Sequence, residues 1–427
     1  MRKFVFIILI FFPLDNTFSY PQILEVKGNK DYLLIEENTL PIVDVRISFD
    51  MGSIHDENKK GITSFAVNLL HQQLYQNKKI IYYFEKIGAQ YNSNVTKEKT
   101  EFMVRFVSSE ENIKYISKML NIMLKAEYLS DEMVQDNIER VVGIIDRRNL
   151  DPSSLVQKKA NEIFYSNTTY SHPSIGYKEY VKSFNVGDAR EKINEIITSN
   201  TMSISIVGNI SENMSAFMIS NIIGEIDGPG QIFESSSSTP KNNNKSVHIP
   251  FDSTQTHILI YIPAITRSDS DFYNLLVANH IFGGSGFGSM LMTEIREKRG
   301  LAYSVYSYML PYEDFGVLKI YMQTKNENVN DALNIIEQQI MQLKNFDIPN
   351  EKVEKTKTSI KNNLISRLDT NKNMLNTLSA INDYNLEKDY FKNYIYGIDN
   401  VNLSSIKSAL ENKLDFDNSM VFTLGNK

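Results

Sequence analysis

GGSGFGSMLMTEIREKRGLAYSVYSY, residues 283–308, is the stretch whose reading decides the fold. A glycine-rich turn opens it, a short helix follows, and a strand leaves the helix. Ser289 has the short polar side chain that accepts from backbone N–H groups at a helix start. Gly300 stands where a left-handed residue lets the chain leave the helix. The strand beyond it is aromatic and β-branched, with Tyr303, Val305, Tyr306 and Tyr308. Glu297, Lys298 and Arg299 read as the solvated face of the helix.

Working outward, residues 257–263 alternate as a strand, 269–282 read as a helix and 315–324 as a further strand. Helices then occupy 326–396 and 403–414, and a strand at 419–424 closes the chain. The first half follows the same plan. Strands at 32–37 and 42–50 precede helices at 61–76 and 80–87, and strands at 90–96 and 100–108 come next. Helices fill 110–199, broken at Asp151-Pro152 and His172-Pro173, before a closing strand at 202–207. In the 42–50 strand Val43, Val45, Ile47 and Phe49 share one face, and Asp44, Arg46 and Ser48 the other. The two closing segments are alike, SISIVGN at 203–209 and SMVFTLGN at 419–426.

Residues 228–246, GPGQIFESSSSTPKNNNKS, have a linker's composition. The expected organisation is therefore a first domain at 20–227, a linker at 228–247 and a second domain at 248–427. Each domain is expected to be an α+β sandwich, an antiparallel sheet packed with helices.

Composition excludes several function classes. The 427 residues are 42% hydrophobic and 22% charged, with a net charge of −6 and both signs mixed along the chain. No basic patch points to nucleic acid or to an anionic membrane surface. There is no cysteine, so disulfides and thiolate metal sites are out. Residues 1–19 read as a signal peptide: Arg2 and Lys3, the apolar run FVFIILIFF at 4–12, then the small residues around Thr17 and Ser19. That run is too short for a bilayer span, so no stable membrane anchor is expected. Cleavage near Ser19 removes Arg2, Lys3 and Asp15, taking the charge from −6 to −7. An exported, periplasmic protein is expected.

Two similar halves, a linker and the pair Arg296/Tyr303 resemble the insulinase/pitrilysin-like zinc peptidases, a group that includes mitochondrial processing peptidase. GAQYN at 88–92 followed by 100–107 is similar to the family's strand pair beside its cleft, and SHPSIG at 171–176 to another recurring segment. The resemblance implies that two such halves form half of a clam-shell.

Catalysis in that family comes from H-x-x-E-H on a first-half helix, with a carboxylate ligand about 76 residues later. Two His four apart share a helix face and hold zinc, while the Glu serves as general base. Aligned on Gly61, the motif falls on GITSFAVN, so Ser64, Val67 and Asn68 stand at the ligand and base positions. The third ligand position falls at Ile144. Hence no metal is expected on this chain, and peptide hydrolysis by this chain alone is not expected.

The remaining candidates are bland. The histidines are 55, 71, 172, 248, 257 and 280, and no two are four apart. His55-Asp56-Glu57 reads as a solvated loop and His71 as a structural helical His. GGSGFGS lacks the lysine of a phosphate loop.

What the resemblance implies instead is the role of the zinc-free half, an Arg/Tyr pair that hydrogen-bonds a substrate carbonyl and its developing oxyanion. In two-subunit relatives one chain keeps zinc and its sister keeps Arg/Tyr. The implied partners are a sister subunit carrying H-x-x-E-H with its zinc, and a peptide substrate. A structural or peptide-binding protein without catalysis is the alternative. The family's Ser-Arg-Leu after the glycine turn is Ser289-Met290-Leu291 here.

Overall fold

The computed structural model describes residues 20–198, 201–224, 226, 240, 245–345 and 347–426. The signal peptide reading and most of the linker reading lie outside these residues.

The first half contributes β1 (Leu24–Val26), β2 (Tyr32–Glu36), β3 (Ile42–Phe49), a small ribbon of β4 (Leu74–Tyr75) and β5 (Lys78–Lys79), then β6 (Gln90–Val95), β7 (Thr100–Val107) and β8 (Met202–Gly208). The second contributes β9 (Lys245–Pro250), β10 (Gln255–Ala264), β11 (Val305–Pro311), β12 (Gly316–Lys325) and β13 (Met420–Gly425). The sheet orders are β1-β2-β8-β3-β7-β6 and β11-β12-β10-β13-β9. Read backwards, the second order is the first without β1. The duplication is therefore built into the hydrogen bonding. Neither sheet is purely antiparallel, because each closing strand runs antiparallel to a long strand on one side and parallel to a shorter one on the other: β8 with β3 and β2, β13 with β10 and β9.

The helix expected at 61–76 stops at Leu70. His71 caps it, and the ribbon turns at Gln76 and Asn77, both with positive φ. Asp151 caps the helix Pro152–Phe164 by accepting from the Ser154 N–H at 2.8 Å, with Pro152 in the first turn where its missing N–H costs nothing.

The halves exchange helices. The helix Asn371–Asp383 of the second half packs on β3 and β8 of the first sheet. There Asp383 accepts from Arg46 at 3.2 Å and from Ser203 at 2.9 Å, and Asn382 donates to the Ile204 carbonyl at 2.8 Å. The polar face of β3, carrying Asp44 and Ser48, is consequently buried as well: Asp44 is 5% exposed and Ser48 2%. Asp44 accepts a two-pronged bond from Arg105.

In return the first-half helix Pro152–Phe164 lies on β10 and β13. Val156, Ala160, Phe164 and Tyr165 form one core with Leu259, Tyr261, Phe315 and Phe422. This layer also buries Lys319, whose ammonium sits 4.0 Å from the Tyr261 ring centroid and donates to Asn161 at 3.2 Å. Burial, with Lys97 nearby, pushes the Lys319 ammonium down to about 7. The unfolded chain holds that proton to higher pH, so folding releases it between these values and stability rises with pH across that window. Lys319→Met should therefore stabilise the protein by about 2 kcal/mol near pH 6, with the gain fading towards pH 10, as read from melting temperatures across pH.

Candidate functional site

The focal stretch is built from wide turns. A helix at Phe272–Asn279 passes into a π-helical segment, His280–Gly284, and a second π-helical segment covers Met292–Glu297. Such segments, with i→i+5 bonds, occur mostly as single turns, frequently at functional sites. Ser289 starts the second by accepting from the Met292 N–H at 3.3 Å. Gly300 ends it with φ +62°, and the Leu301 N–H reaches back to the Ile295 carbonyl at 2.9 Å. The strand then begins at Val305, two residues later than read, which leaves Tyr303 on the bend before β11 and 84% exposed.

The structure brings Arg296 and Tyr303 together. The guanidinium carbon lies 4.7 Å from the Tyr303 ring centroid and also 4.7 Å from that of Phe287. Phe287 lies between Gly286 and Gly288, both in the left-handed region, on the glycine turn. That turn is held by Lys352, which donates to the Gly288 carbonyl at 2.5 Å. Sequence reasoning missed Phe287; an exposed aromatic between two glycines was the available signal. Lys298 and Arg299 both pair with Glu294 at 2.5 Å and hold its carboxyl below the usual range. Arg296 has no ion-pair partner among the described residues. Two stacked faces orient a planar fork of five N–H donors while leaving its edges available. A guanidinium beside a phenol, next to the outer strand of the second sheet, can donate to a carbonyl or an oxyanion.

The altered motif is elsewhere, on the helix Ile62–Leu70. Val67 is buried, and Ser64 and Asn68 are half-buried. The Asn68 amide donates to the Ser64 carbonyl, and Gln72 to that of Asn68, both at 2.8 Å. Ile144 is half-buried on the helix Asp131–Leu150, which is tied to the first helix by Asn137 donating to the Phe65 carbonyl. Among the described residues no group of three His, Asp or Glu could hold a metal.

Asp56, read as part of a solvated loop, is 1% exposed. Its carboxylate accepts from the Gly61 and Thr63 N–H groups at 2.7 and 3.0 Å, at the start of the helix, and bonds His172 Nε2 at 3.0 Å. SHPSIG thus serves to fasten the segment that begins that helix. Asp56→Ala should cost about 2 kcal/mol, seen as a lower urea midpoint at unchanged slope. His71 is half-buried and packs against Tyr91 with ring centroids 5.9 Å apart. Burial, with Arg140 and Lys79 nearby, pushes it down to about 4.

Residues 32–177 match the family model described as "Insulinase (Peptidase family M16)", and residues 183–360 that described as "Peptidase M16 inactive domain". The chain belongs to the insulinase, or M16, peptidase family. A Bacillus subtilis M16 relative named as an uncharacterized zinc protease, YmxG, is 25% identical over 79% of this chain and 82% of its own length. Another from that organism, named a probable inactive metalloprotease, YmfF, is 23% identical over 68% of this chain and 71% of its own. Among solved structures, the M16 inactive domain from Pseudomonas fluorescens superposes with a TM-score of 0.88 at 22% identity, covering 96% of this chain and 98% of that one. The M16 fold here is thus the two-sandwich half of a clam-shell. No helix among the described residues is long and apolar enough to cross a membrane.

Proposed function

We propose that this chain is the non-catalytic subunit of an exported, periplasmic heterodimeric zinc peptidase. Its sister would carry H-x-x-E-H and the zinc. This chain would complete the substrate chamber and hold an extended peptide, with Arg296 and Tyr303 donating to the carbonyl under attack. The observation that carries the reading is the guanidinium of Arg296, 4.7 Å from the ring centroids of both Phe287 and Tyr303 and without a hydrogen-bond or ion-pair partner among the described residues, in a chain whose aligned zinc positions are Ser64, Val67, Asn68 and Ile144. The family model over residues 183–360 and the relative named an inactive metalloprotease support the same reading.

The test is recovery of the exported protein from its own cell, followed by zinc and peptidase assays. A co-purifying sister with zinc and activity supports the proposal. Zinc-dependent cleavage by this chain alone would sink it. Recovery with itself only, without zinc or cleavage, would replace it with a structural or peptide-binding pseudopeptidase.

A further inference from the structure

We propose that the first half holds a subsite for a carboxylate of the bound peptide, in a cavity at the end of β6. The proposal rests on the peptide-binding reading above and names the chemistry that is selected.

The cavity has a volume of about 470 Å³. Val95 at the end of β6, Arg148 at the end of one helix, Lys158 on the next, and the 173–176 loop line it, together with Lys97. Three cations thus face one space, and no Asp or Glu lines it. Their present partners carry no negative charge. Lys97 donates to the His172 carbonyl, and Lys158 to the Asn149 amide oxygen at 3.0 Å while lying over the Tyr177 ring. Arg148 has no hydrogen-bond or ion-pair partner among the described residues.

The neighbouring carboxylates are committed elsewhere: Asp56 to the helix start and His172, Asp146 to Lys178, Asp151 to Ser154, and Glu162 to Lys159. Burial pushes the Lys97 ammonium down to about 8, so an incoming anion relieves a strain already present.

The occupant follows from the strand. β6 is an outer strand of its sheet, with no further strand bonded to it among the described residues. An extended peptide pairing with its free edge runs alongside Val95 and delivers a side chain or its terminus to the cavity. A peptide's carboxylate, from Asp, Glu or the C-terminus, is the negative group such a ligand carries.

The chain contains no Trp, so a heptapeptide with a single Trp reports on binding through its own emission. Amidated peptides carrying one Glu at each position in turn are compared with Gln counterparts, and a neutral sequence with a free C-terminus is compared with its amide. One Glu position, or the free terminus, should bind about tenfold tighter than its neutral control. Arg148→Gln with Lys158→Gln should erase that preference while leaving the neutral peptide's affinity within twofold. Both sites are at the surface of their helices, and the neutral peptide serves as the control for folding. Equal binding of charged and neutral peptides, or a preference that survives the double variant, overturns the subsite alone. Failure of every peptide to bind overturns the peptide-binding reading and the subsite with it.

Discussion

Replacing Arg296 with alanine is expected to lower kcat/KM of the proposed heterodimeric peptidase about a hundredfold, the loss typical of removing one preorganised oxyanion donor. The loss should fall on kcat as well as on kcat/KM, because the interaction strengthens as the carbonyl oxygen gains charge. Zinc content and co-purification of the sister chain should not change, since Arg296 is half-buried and makes no ion pair among the described residues. Tyr303→Phe keeps the ring that stacks on the guanidinium and removes only the phenol, so it isolates the hydroxyl's share. Phe287→Ala does the reverse: it leaves both donors and loosens the clamp, with an expected loss of severalfold, about the worth of one exposed cation–π contact. Activity within twofold of the native complex after Arg296→Ala would remove the pair from the reaction.

Phe164→Ala is expected to cost about 4 kcal/mol. Phe164 belongs to a first-half helix but is 1% exposed against the second sheet. It meets Tyr165 and Tyr261 edge-on, with ring centroids 5.0 and 5.2 Å away. Truncation opens a void among large, stiff rings that cannot close on it, which puts the cost in the upper range for such changes. Because the lost contact joins the halves, the urea transition should move as one to lower denaturant, not split into two. A native-like second half persisting after the first has unfolded would contradict the shared core.

The order of strands and helices was legible because strand alternation, caps and breakers are local signals. Ser289 and Gly300 bound the focal helix as read, and Asp151-Pro152 starts a helix as the sequence implies. What stayed hidden depends on partners distant in the chain. Asp44, Arg46 and Ser48 look like a solvent face until a helix more than 300 residues later covers them. Asp56 resembles a solvated loop residue until the helix start and His172 close around it. The π-turns left no trace in the pattern, because one residue of extra winding does not disturb an apolar stripe this short. At the candidate site the spacing of Arg296 and Tyr303 was visible, but the third member was not. Phe287 belongs to a glycine turn whose composition alone says only that the chain bends.

The crossed helices have a consequence for the connection between the halves. Each sheet is roofed on one face by a helix delivered from the other half, so the two are interlocked like clasped hands. Once the protein is assembled, the covalent tether is the least important bond between them. Severing it would leave the contacts standing, whereas expressing either half alone would strip a sheet of its roof: the first would bare buried polar groups such as Asp44 and Ser48, the second an apolar face with Leu259, Tyr261 and Phe422. Neither half is expected to keep its shape without the other.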